Sequence, residues 1–404
     1  MKRVPRSVLI ASWGSLLSAV LFVIALVLSA DPPHDGSTRH PSGSRLQLDS
    51  LMGSESSQAG FIEAKEGVSL VFPRDHASHS GFQNEWWYLT GNLRDKNDPQ
   101  QLFGFQFTLF RFALAPMNNS SLEKSDNPWL EPQIYMAHFA ITHVDDGEHR
   151  AGERFSRQGP GLAGARWMKT DEVNTAEPFL KLWLANWFMQ SHGQKDLFPM
   201  TIAAFDSDKK IGLTLEAITT KPMVLQGNKG VSLKNLEGGA SFYYSYPRLS
   251  VDGQLQWQGQ QYAVDGLAWF DHEWSSNSLA DYQQGWDWFS LQLDDGRELM
   301  YYRFRNRDGS KGLSHFNLID TTGRSLALEP DAVELSPLDE WLSPEGAVYP
   351  SGWQLRVPDQ DLNLEIQPLV KDQLMDLSVR YWEGAVKVTG SHQGRGYVEL
   401  SGYE

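Results

Sequence analysis

The fold is decided by the stretch Leu102-Phe-Gly-Phe-Gln-Phe-Thr-Leu-Phe-Arg111, in which large apolar residues alternate with Gly, Gln and Thr. Successive side chains of an extended chain point to opposite faces, so this pattern predicts a strand with one apolar face. The run Glu85-Trp-Trp-Tyr-Leu-Thr-Gly91 precedes it and is joined to it by a polar segment, Arg94 to Gln100. Together the two runs predict an antiparallel β-hairpin.

The hairpin layout returns in the second half of the chain. Trp286-Asp-Trp-Phe-Ser-Leu-Gln-Leu293 leads through the turn Asp294-Asp-Gly296 into an aromatic strand that ends in arginines. Matching Trp86–Arg111 with Trp286–Arg303 predicts a duplicated β-domain. The run Phe179 to Met189 also fits a helix by spacing, but its aromatic and β-branched neighbours favour a strand. Many short strands favour barrels or sandwiches, and a barrel removes exposed edges.

Composition bounds the class of protein. A chain of 404 residues is long enough for two domains, and 35 Gly with 15 Trp favour a β-rich fold lined by large side chains. Without cysteine the chain has no disulfide, no thiolate nucleophile and no cysteine-ligated metal. A net charge of -15 excludes nucleic acid and anionic lipid surfaces as partners.

The start of the chain predicts export. Lys2, Arg3 and Arg6 precede an uncharged, mostly apolar run up to residue 30. This layout is typical of a signal peptide, residues 1–30, but the run is also long enough for an uncleaved membrane anchor. In both cases the body is exported, either free in the periplasm or attached to the membrane by that segment. Residues 31–60, rich in Ser, Gly, Pro and Asp, are predicted to form a flexible linker.

The stretch Gly266-Leu-Ala-Trp-Phe-Asp-His-Glu-Trp-Ser-Ser276 concentrates acids and aromatic residues. As a strand it places Trp269, Asp271 and Glu273 on one face, and His272 with Trp274 on the other. Two carboxylates beside an indole suggest the wall of a pocket, because a purely structural strand would keep its charges in water. The alternative is a strand at a barrel rim whose acids pair with arginines or cap a turn.

Several motifs together resemble the AttH-like, lipocalin-like family of secreted proteins, which includes hydroxyneurosporene synthase, a carotenoid 1,2-hydratase. The resemblance covers nearly everything after residue 70. It is carried by the order and spacing of Glu85-Trp-Trp-Tyr-Leu-Thr-Gly91, Ala137-His-Phe-Ala140, Lys221-Pro-Met-Val-Leu-Gln-Gly227, Tyr243-Tyr-Ser-Tyr-Pro-Arg-Leu249, Asp271-x-Glu-Trp274 and Gly396-Tyr-x-Glu-Leu400.

The resemblance implies an all-β protein of two lipocalin-like antiparallel β-barrels packed side by side, here residues 61–247 and 248–404. It implies a ligand site in or between the barrels. Some relatives add water to an isolated C=C bond after an acidic residue protonates it, and others fold long polyenes for cyclisation. Members like this one are often associated with ABC export systems. The fold alone does not transfer a reaction.

Asp271 falls on the Asp-x-Glu-Trp pattern and is the candidate proton donor, with Glu273 as the second catalytic acid. Burial beside Trp269 and Glu273 would raise one carboxyl pKa, and the indole faces would stabilise a carbocation. The alternative is a structural carboxylate at the domain junction. The predicted ligand-binding residues are aromatic, acidic or basic side chains of this stretch, of the two hairpins and of the Ala137–Ala140 motif: Trp269, His272, Trp274, Glu85, Trp87, His138, Arg111, Trp286 and Trp288.

Each of the polar candidates has a structural alternative. Glu85 shares a face with Trp87 and is expected to pair with an arginine such as Arg111 or Arg303. His138, in an apolar strand, is expected to be a satisfied core residue. The pair His76 and His79 is interpreted as part of a solvated loop, so neither a metal nor a cofactor is predicted.

The functional prediction is an exported protein that binds an elongated apolar molecule: a lipid, an isoprenoid or a polyene. It either adds water to a C=C bond like a carotenoid hydratase, or acts as a non-catalytic carrier or an accessory component of an ABC export system. A carrier needs only an enclosed apolar cavity. An enzyme also needs Asp271 inside that cavity within reach of the ligand.

Overall fold

The computed structural model describes residues 60–116, 132–168, 179–192, 196–276 and 279–403, all within one compact unit, Arg45–Glu404. The predicted signal or anchor, residues 1–30, lies outside this part of the chain, as does nearly all of the predicted linker. Antiparallel strands make up the described regular structure, together with the 3-10 turns Arg74–His76, Pro330–Ala332 and Pro358–Gln360. Among the described residues no helix is long and apolar enough to cross a membrane.

Within the described ranges the first sheet has 13 strands. They are β1 (Asn84–Asp95), β2 (Leu102–Ala113), β3 (Gln133–His143), β4 (Glu148–Arg157), β5 (Ala163–Met168), β6 (Phe179–Leu184), β7 (Trp187–Ser191), β8 (Met200–Asp206), β9 (Ile211–Thr219), β10 (Val224–Leu225), β11 (Val231–Leu233), β12 (Ala240–Trp257) and β13 (Gln260–Ser275). Their order is β4-β3-β2-β1-β13-β12-β9-β8-β7-β6-β5, with β10 and β11 beside β12. The sheet curls into a nearly closed barrel.

The inside of this barrel is filled by the strands' own apolar side chains. Alternation along β1 and β2 points Trp87, Leu89, Phe105, Phe107 and Leu109 inward, where each is almost fully buried in one continuous cluster. The pattern that predicted the first hairpin therefore describes the barrel core. Burial of a side chain of this size contributes about 1.5–3 kcal/mol to folding.

The second sheet has 10 strands in the described part of the chain. They are β14 (Gln283–Leu293), β15 (Glu298–Asn306), β16 (Lys311–Ile319), β17 (Ser325–Leu328), β18 (Glu334–Pro337), β21 (Trp353–Val357), β22 (Leu362–Pro368), β23 (Leu374–Asp376), β24 (Arg380–Gly390) and β25 (Gly394–Leu400); β19 (Glu340–Leu342) and β20 (Val348–Pro350) pair separately. The order β17-β16-β15-β14-β25-β24-β22-β21-β18 leaves β17 and β18 at its two ends. This sheet curls into a half-barrel. One nearly closed barrel and one half-barrel match the lipocalin-like double barrel, so the predicted all-β fold class is confirmed.

The two sheets repeat one arrangement of four strands, β2-β1-β13-β12 and β15-β14-β25-β24. Glu85 faces Arg111 across β1 and β2, and Asp287 faces Arg303 across β14 and β15. This register matches Trp86 with Trp288, two residues beyond the Trp286 that the sequence comparison paired with it. An acid and an arginine therefore occupy corresponding places in both hairpins.

The sheets meet through the outer faces of these strands. Tyr88, Tyr243 and Trp269 of the first sheet join Trp288 and Tyr302 of the second in a shared apolar cluster. The domain boundary predicted after residue 247 falls inside β12, and the chain passes from one sheet to the other after the end of β13. Because β13 pairs with β1 and β12 pairs with β9 in the middle of the first sheet, the segment that holds Asp271 belongs to the first sheet.

Candidate functional site

A cavity of about 100 Å³ lies between the two sheets. Aromatic side chains from both sheets form most of its wall: Trp86, Tyr88, Phe110, Phe112, Tyr243, Trp286, Trp288, Tyr302, Phe304 and Tyr381. Strand alternation explains the composition, because one face of each strand fills its own sheet and the other faces the neighbouring sheet. The cavity is therefore a product of the packing between the sheets.

Asp271 lines this cavity and is almost fully buried. Its carboxylate accepts hydrogen bonds from the Tyr243 hydroxyl at 2.8 Å, the Trp269 indole N–H at 2.7 Å and the Ser245 hydroxyl. Burial raises the pKa of Asp271 to about 7, and the charge of Glu273 adds to the rise, while the three donors oppose it. No cation among the described residues forms an ion pair with Asp271, so this carboxyl exchanges its proton near neutrality.

Glu273 lies two residues further along the same face but has a different environment. It forms an ion pair with Lys234, whose ammonium group also lies 4.9 Å from the centre of the Tyr302 ring. Burial opposes the charge on Lys234, but Glu273, Tyr302 and Asp271 together outweigh that effect and raise the pKa of Lys234. The two candidate acids thus differ: Glu273 is balanced by a cation, whereas Asp271 is held only by neutral donors.

The second sheet adds two acids that the sequence analysis did not select. Glu399 of β25 lines the cavity and accepts a hydrogen bond from the Trp286 indole N–H at 2.8 Å. Burial raises the pKa of Glu399 to about 7, helped by the charges of Glu273 and Asp271. Its cross-strand neighbour Glu383 is fully buried, and burial together with the charge of Glu399 raises the pKa of Glu383 well above its usual value.

A second buried polar cluster lies on the opposite face of β1 and β13, inside the first barrel. Glu85 accepts hydrogen bonds from Arg111 Nε at 2.7 Å and lies 2.6 Å from His79 Nδ1 and 2.9 Å from His272 Nε2. Burial opposes ionisation, but the charges of His79 and Arg111 outweigh it and hold the pKa of Glu85 well below its usual value. Glu85 therefore pairs with an arginine as predicted, and that arginine is Arg111.

The aromatic neighbours of this cluster were also predicted to bind ligand. Trp87 stacks on His272 with 4.7 Å between ring centres, and Trp274 stacks on His79 at 3.9 Å. These side chains, with Glu85 and Arg111, face away from the cavity between the sheets. Of the predicted ligand-binding residues, Trp286 and Trp288 line that cavity. Trp269 is linked to it by the hydrogen bond that its indole N–H donates to Asp271.

The loop histidines are not solvated, which corrects the sequence interpretation. Asp75 and His76 are almost fully buried, and His76 Nδ1 lies 2.7 Å from the Tyr244 hydroxyl. Donor atoms of His79, Glu85 and His272 lie within 4.8 Å of one another, a spacing that a metal ion could bridge. Both oxygens of Glu85 already accept hydrogen bonds in this cluster, so its geometry fits an ion-pair network.

His138 lies at the junction of the sheets. Its Nδ1 is 2.8 Å from the hydroxyl of Tyr381, and the two rings stack. Burial lowers the pKa of His138 to about 3, so the ring is neutral. Tyr381 lines the cavity, whereas His138 does not and instead contacts Tyr381.

Comparison with known proteins agrees with this architecture. The family model described as AttH-like matches residues 63–403. The chain belongs to the AttH-like family. A crystal structure described as an AttH from Nitrosomonas europaea is 31% identical, with a TM-score of 0.72 over 85% of this chain and 100% of that one. Kievitone hydratase from Nectria haematococca shares the fold at 14% identity and a TM-score of 0.61, over 84% of this chain and 95% of that one. No curated protein matches the sequence.

For this AttH-like chain, the residues that sequence reasoning missed are Glu399, Glu383 and Lys234. Glu399 stands alone among the apolar residues of Gly396-Tyr-Val-Glu-Leu400, and Glu383 follows two aromatic residues. An isolated acid in a strand that is otherwise apolar is a usable signal, since charged residues are almost never fully buried without a partner. Lys234 follows β11 in a polar segment and carries no such signal.

Proposed function

We propose that the cavity between the sheets binds the unsaturated end of an elongated apolar molecule, a lipid, isoprenoid or polyene, and that Asp271 protonates a C=C bond there. The observation that carries the proposal is a buried carboxyl with a pKa near neutrality, without a cation partner among the described residues, in an aromatic cavity. Kievitone hydratase, by its name a hydratase, has the same fold, which agrees with this class of reaction.

In the proposed reaction the π electrons of the alkene take the proton of the Asp271 carboxyl, which leaves a carboxylate and a carbocation. The faces of Trp286 and Trp288 stabilise the cation through their quadrupoles. A water molecule adds through its oxygen and then loses a proton to a carboxylate. Glu399, whose pKa is also about 7, is partly ionised at neutral pH and is the proposed acceptor. Glu399 then releases this proton to solvent and Asp271 takes one up, so the net change is alkene plus water to alcohol.

The size of the cavity limits what can enter it. Its volume is about 100 Å³, whereas an apolar cavity of about 150 Å³ holds benzene. We therefore propose that only the reacting end of the molecule occupies the site, and that the remainder lies outside it or displaces side chains. This makes terminal double bonds the preferred substrates.

The alternative function is transport of the same molecule without chemistry, as a carrier or as an accessory component of an ABC export system. It uses the same aromatic cavity and gives Asp271 a structural role. The hydrogen bonds that Asp271 accepts from Tyr243 and Ser245, on the neighbouring strand β12, favour this alternative. Export of the body, free or membrane-attached, is part of both proposals and depends on residues 1–30.

The test is incubation of the purified protein with a linear polyene that ends in a dimethylvinyl group, in D₂O. Transfer of a solvent-derived proton to carbon leaves one deuterium that does not wash out in H₂O, and mass spectrometry detects it in the alcohol. We expect Asp271→Asn to lower its formation by about 100-fold or more while polyene binding persists.

The matched control is Asp265→Asn, the same change on the same strand at an exposed ion pair with Arg94. It should form product like the unchanged protein. Polyene binding by the unchanged protein with no deuterated alcohol would favour the carrier. Absence of binding, in titrations of tryptophan fluorescence, would contradict both functions.

A further inference from the structure

Arg303 in the second sheet corresponds in position to Arg111 in the first. In the first barrel all three guanidinium nitrogens of Arg111 donate hydrogen bonds. Its Nε donates to Glu85 at 2.7 Å and its Nη1 to Gln133 at 2.6 Å, and its Nη2 donates to the carbonyl oxygens of His79 at 3.0 Å and Phe82 at 2.9 Å. The loop before β1 thus closes over the guanidinium, which is 1% exposed.

Arg303 occupies the corresponding place but is not saturated. Its Nε donates to Asp287 at 2.8 Å, whereas its two terminal amino groups donate to no residue in the described part of the chain. The side chain is 26% exposed. A guanidinium in this state presents the paired N–H donors that bind a carboxylate or phosphate in a fork.

These free donors face a second cavity, of about 820 Å³, on the inner side of the half-barrel. Arg303 and Arg305 of β15 form one wall, and Val333 and Leu335, on the segment that leads into and through β18, belong to the other. Cavities of roughly 300–1,000 Å³ hold small-molecule ligands. The half-barrel is open here because its end strands β17 and β18 do not pair with each other.

The buried charges around this cavity do not cancel. Asp287 is fully buried and pairs with both Arg303 and Arg305, so two cations share one carboxylate. At the rim Lys311 lies 3.5 Å from Asp331, and both side chains are exposed. Glu334 at the rim is also exposed, and water and salt screen its charge. Among the buried groups alone, the two arginines exceed the single carboxylate by one positive charge.

We propose that this second cavity is a binding site for a singly charged carboxylate with an apolar body, such as a fatty acid. The carboxylate accepts hydrogen bonds from the two free amino groups of Arg303, and the apolar body lies along Tyr301, Val333 and Leu335. One negative charge balances the excess, so a monocarboxylate fits better than a phosphate monoester, which carries nearly two charges at pH 7.

The test uses decanoate as probe, with decanol and decyl phosphate as companions of equal chain length, in calorimetric titrations of the whole protein. Decanoate should bind more tightly than either companion. Arg303→Gln should weaken decanoate binding by about tenfold or more, because it removes a charge-assisted pair of hydrogen bonds, and should leave decanol binding unchanged. Arg356→Gln, the same change at an exposed site on β21, is the matched control.

A second variant keeps the test valid if Arg303→Gln does not fold. Lys311→Glu reverses the charge of an exposed rim residue and should weaken decanoate binding by about threefold at low ionic strength, where screening is weak. Glu399→Gln, in the cavity between the sheets, should leave decanoate binding unchanged. Decanol binding as tight as decanoate, or decanoate binding that responds to Glu399→Gln but not to the β15 and rim variants, would overturn the proposal.

Discussion

Glu85 and Asp271 are buried carboxyls on adjacent strands of one sheet, yet their chemistry is opposite. Glu85 faces the barrel interior, where Arg111 and His79 keep its pKa well below the usual value. Asp271 faces the second sheet, where neutral donors from Tyr243, Trp269 and Ser245 do not offset burial, and its pKa rises to about 7. In this protein the buried acid beside cations stays ionised, whereas the three neutral donors to Asp271 lower its pKa by less than burial raises it.

The largest effect should come from removing the cation beside Glu85. Arg111→Gln leaves a buried carboxylate without one of the two groups, His79 and Arg111, whose charges lower its pKa, so we expect the free energy of unfolding to fall by about 3–5 kcal/mol. Urea unfolding measures it. The control Arg94→Gln breaks the exposed pair with Asp265 and should cost about 1 kcal/mol or less. Equal losses in the two variants would show that the buried pair has no special weight.

The next effect is an opposite pH dependence of two isosteric variants. The pKa of Asp271 rises from 3.8 to about 7 on folding. Between these values the folded protein keeps a proton that the unfolded chain has lost, so this group destabilises the fold increasingly as pH rises. Asp271→Asn removes that penalty, and we expect its stability relative to the parent to increase by about 3 kcal/mol from pH 4 to pH 7.

Glu85→Gln should show the reverse trend. The folded pKa of Glu85 lies below its usual value of 4.5, so its contribution to stability is present above that pH and is lost as the pH falls. The cost of Glu85→Gln should therefore be larger at pH 7 than at pH 4. Thermal melts of both variants across this range test the comparison, and parallel trends would contradict it.

The smallest effect sharpens the comparison within the cavity. The charge of Glu273 contributes to the raised pKa of both Asp271 and Glu399. Glu273→Gln should lower both pKa values, by about one unit or less, because it removes this charge and frees Lys234. Carboxyl ¹³C chemical shifts followed by NMR titration measure the change. An increase in either pKa would contradict the assignment of causes.

The architecture could be predicted from the sequence because strand alternation is local. In the hairpin around Arg111 and in its repeat around Arg303, a few residues are enough to show the alternation of side chains that is typical of a strand. The run Phe179 to Met189 forms two strands instead of one, because Ala185 adopts a positive φ of 55° at the turn. Asparagine usually marks such turns, and Asn186 follows Ala185 here, so the sequence did contain a local signal; the positive φ itself falls on alanine, which gives none.

The candidate site was only partly predictable, for a different reason. The face that Asp271 shares with Trp269 and Glu273 follows from the alternation of a single strand. The approach of Glu399 and Trp286 depends on how two separate sheets pack, and no local pattern contains that information. Glu85 and His272 illustrate the same point. Strand alternation placed them on the opposite face from Asp271, but it did not show which of the two faces borders a cavity.

The alternation of β13 also constrains how this protein can change over evolutionary time. Along this strand Asp271 serves one face and His272 the other. A substitution at either position alters one face only. A single inserted or deleted residue within the strand would exchange the two sets, placing the histidine between the sheets and the acid against Glu85. Substitutions along β13 therefore act on one face at a time, whereas a change in its length acts on both faces at once.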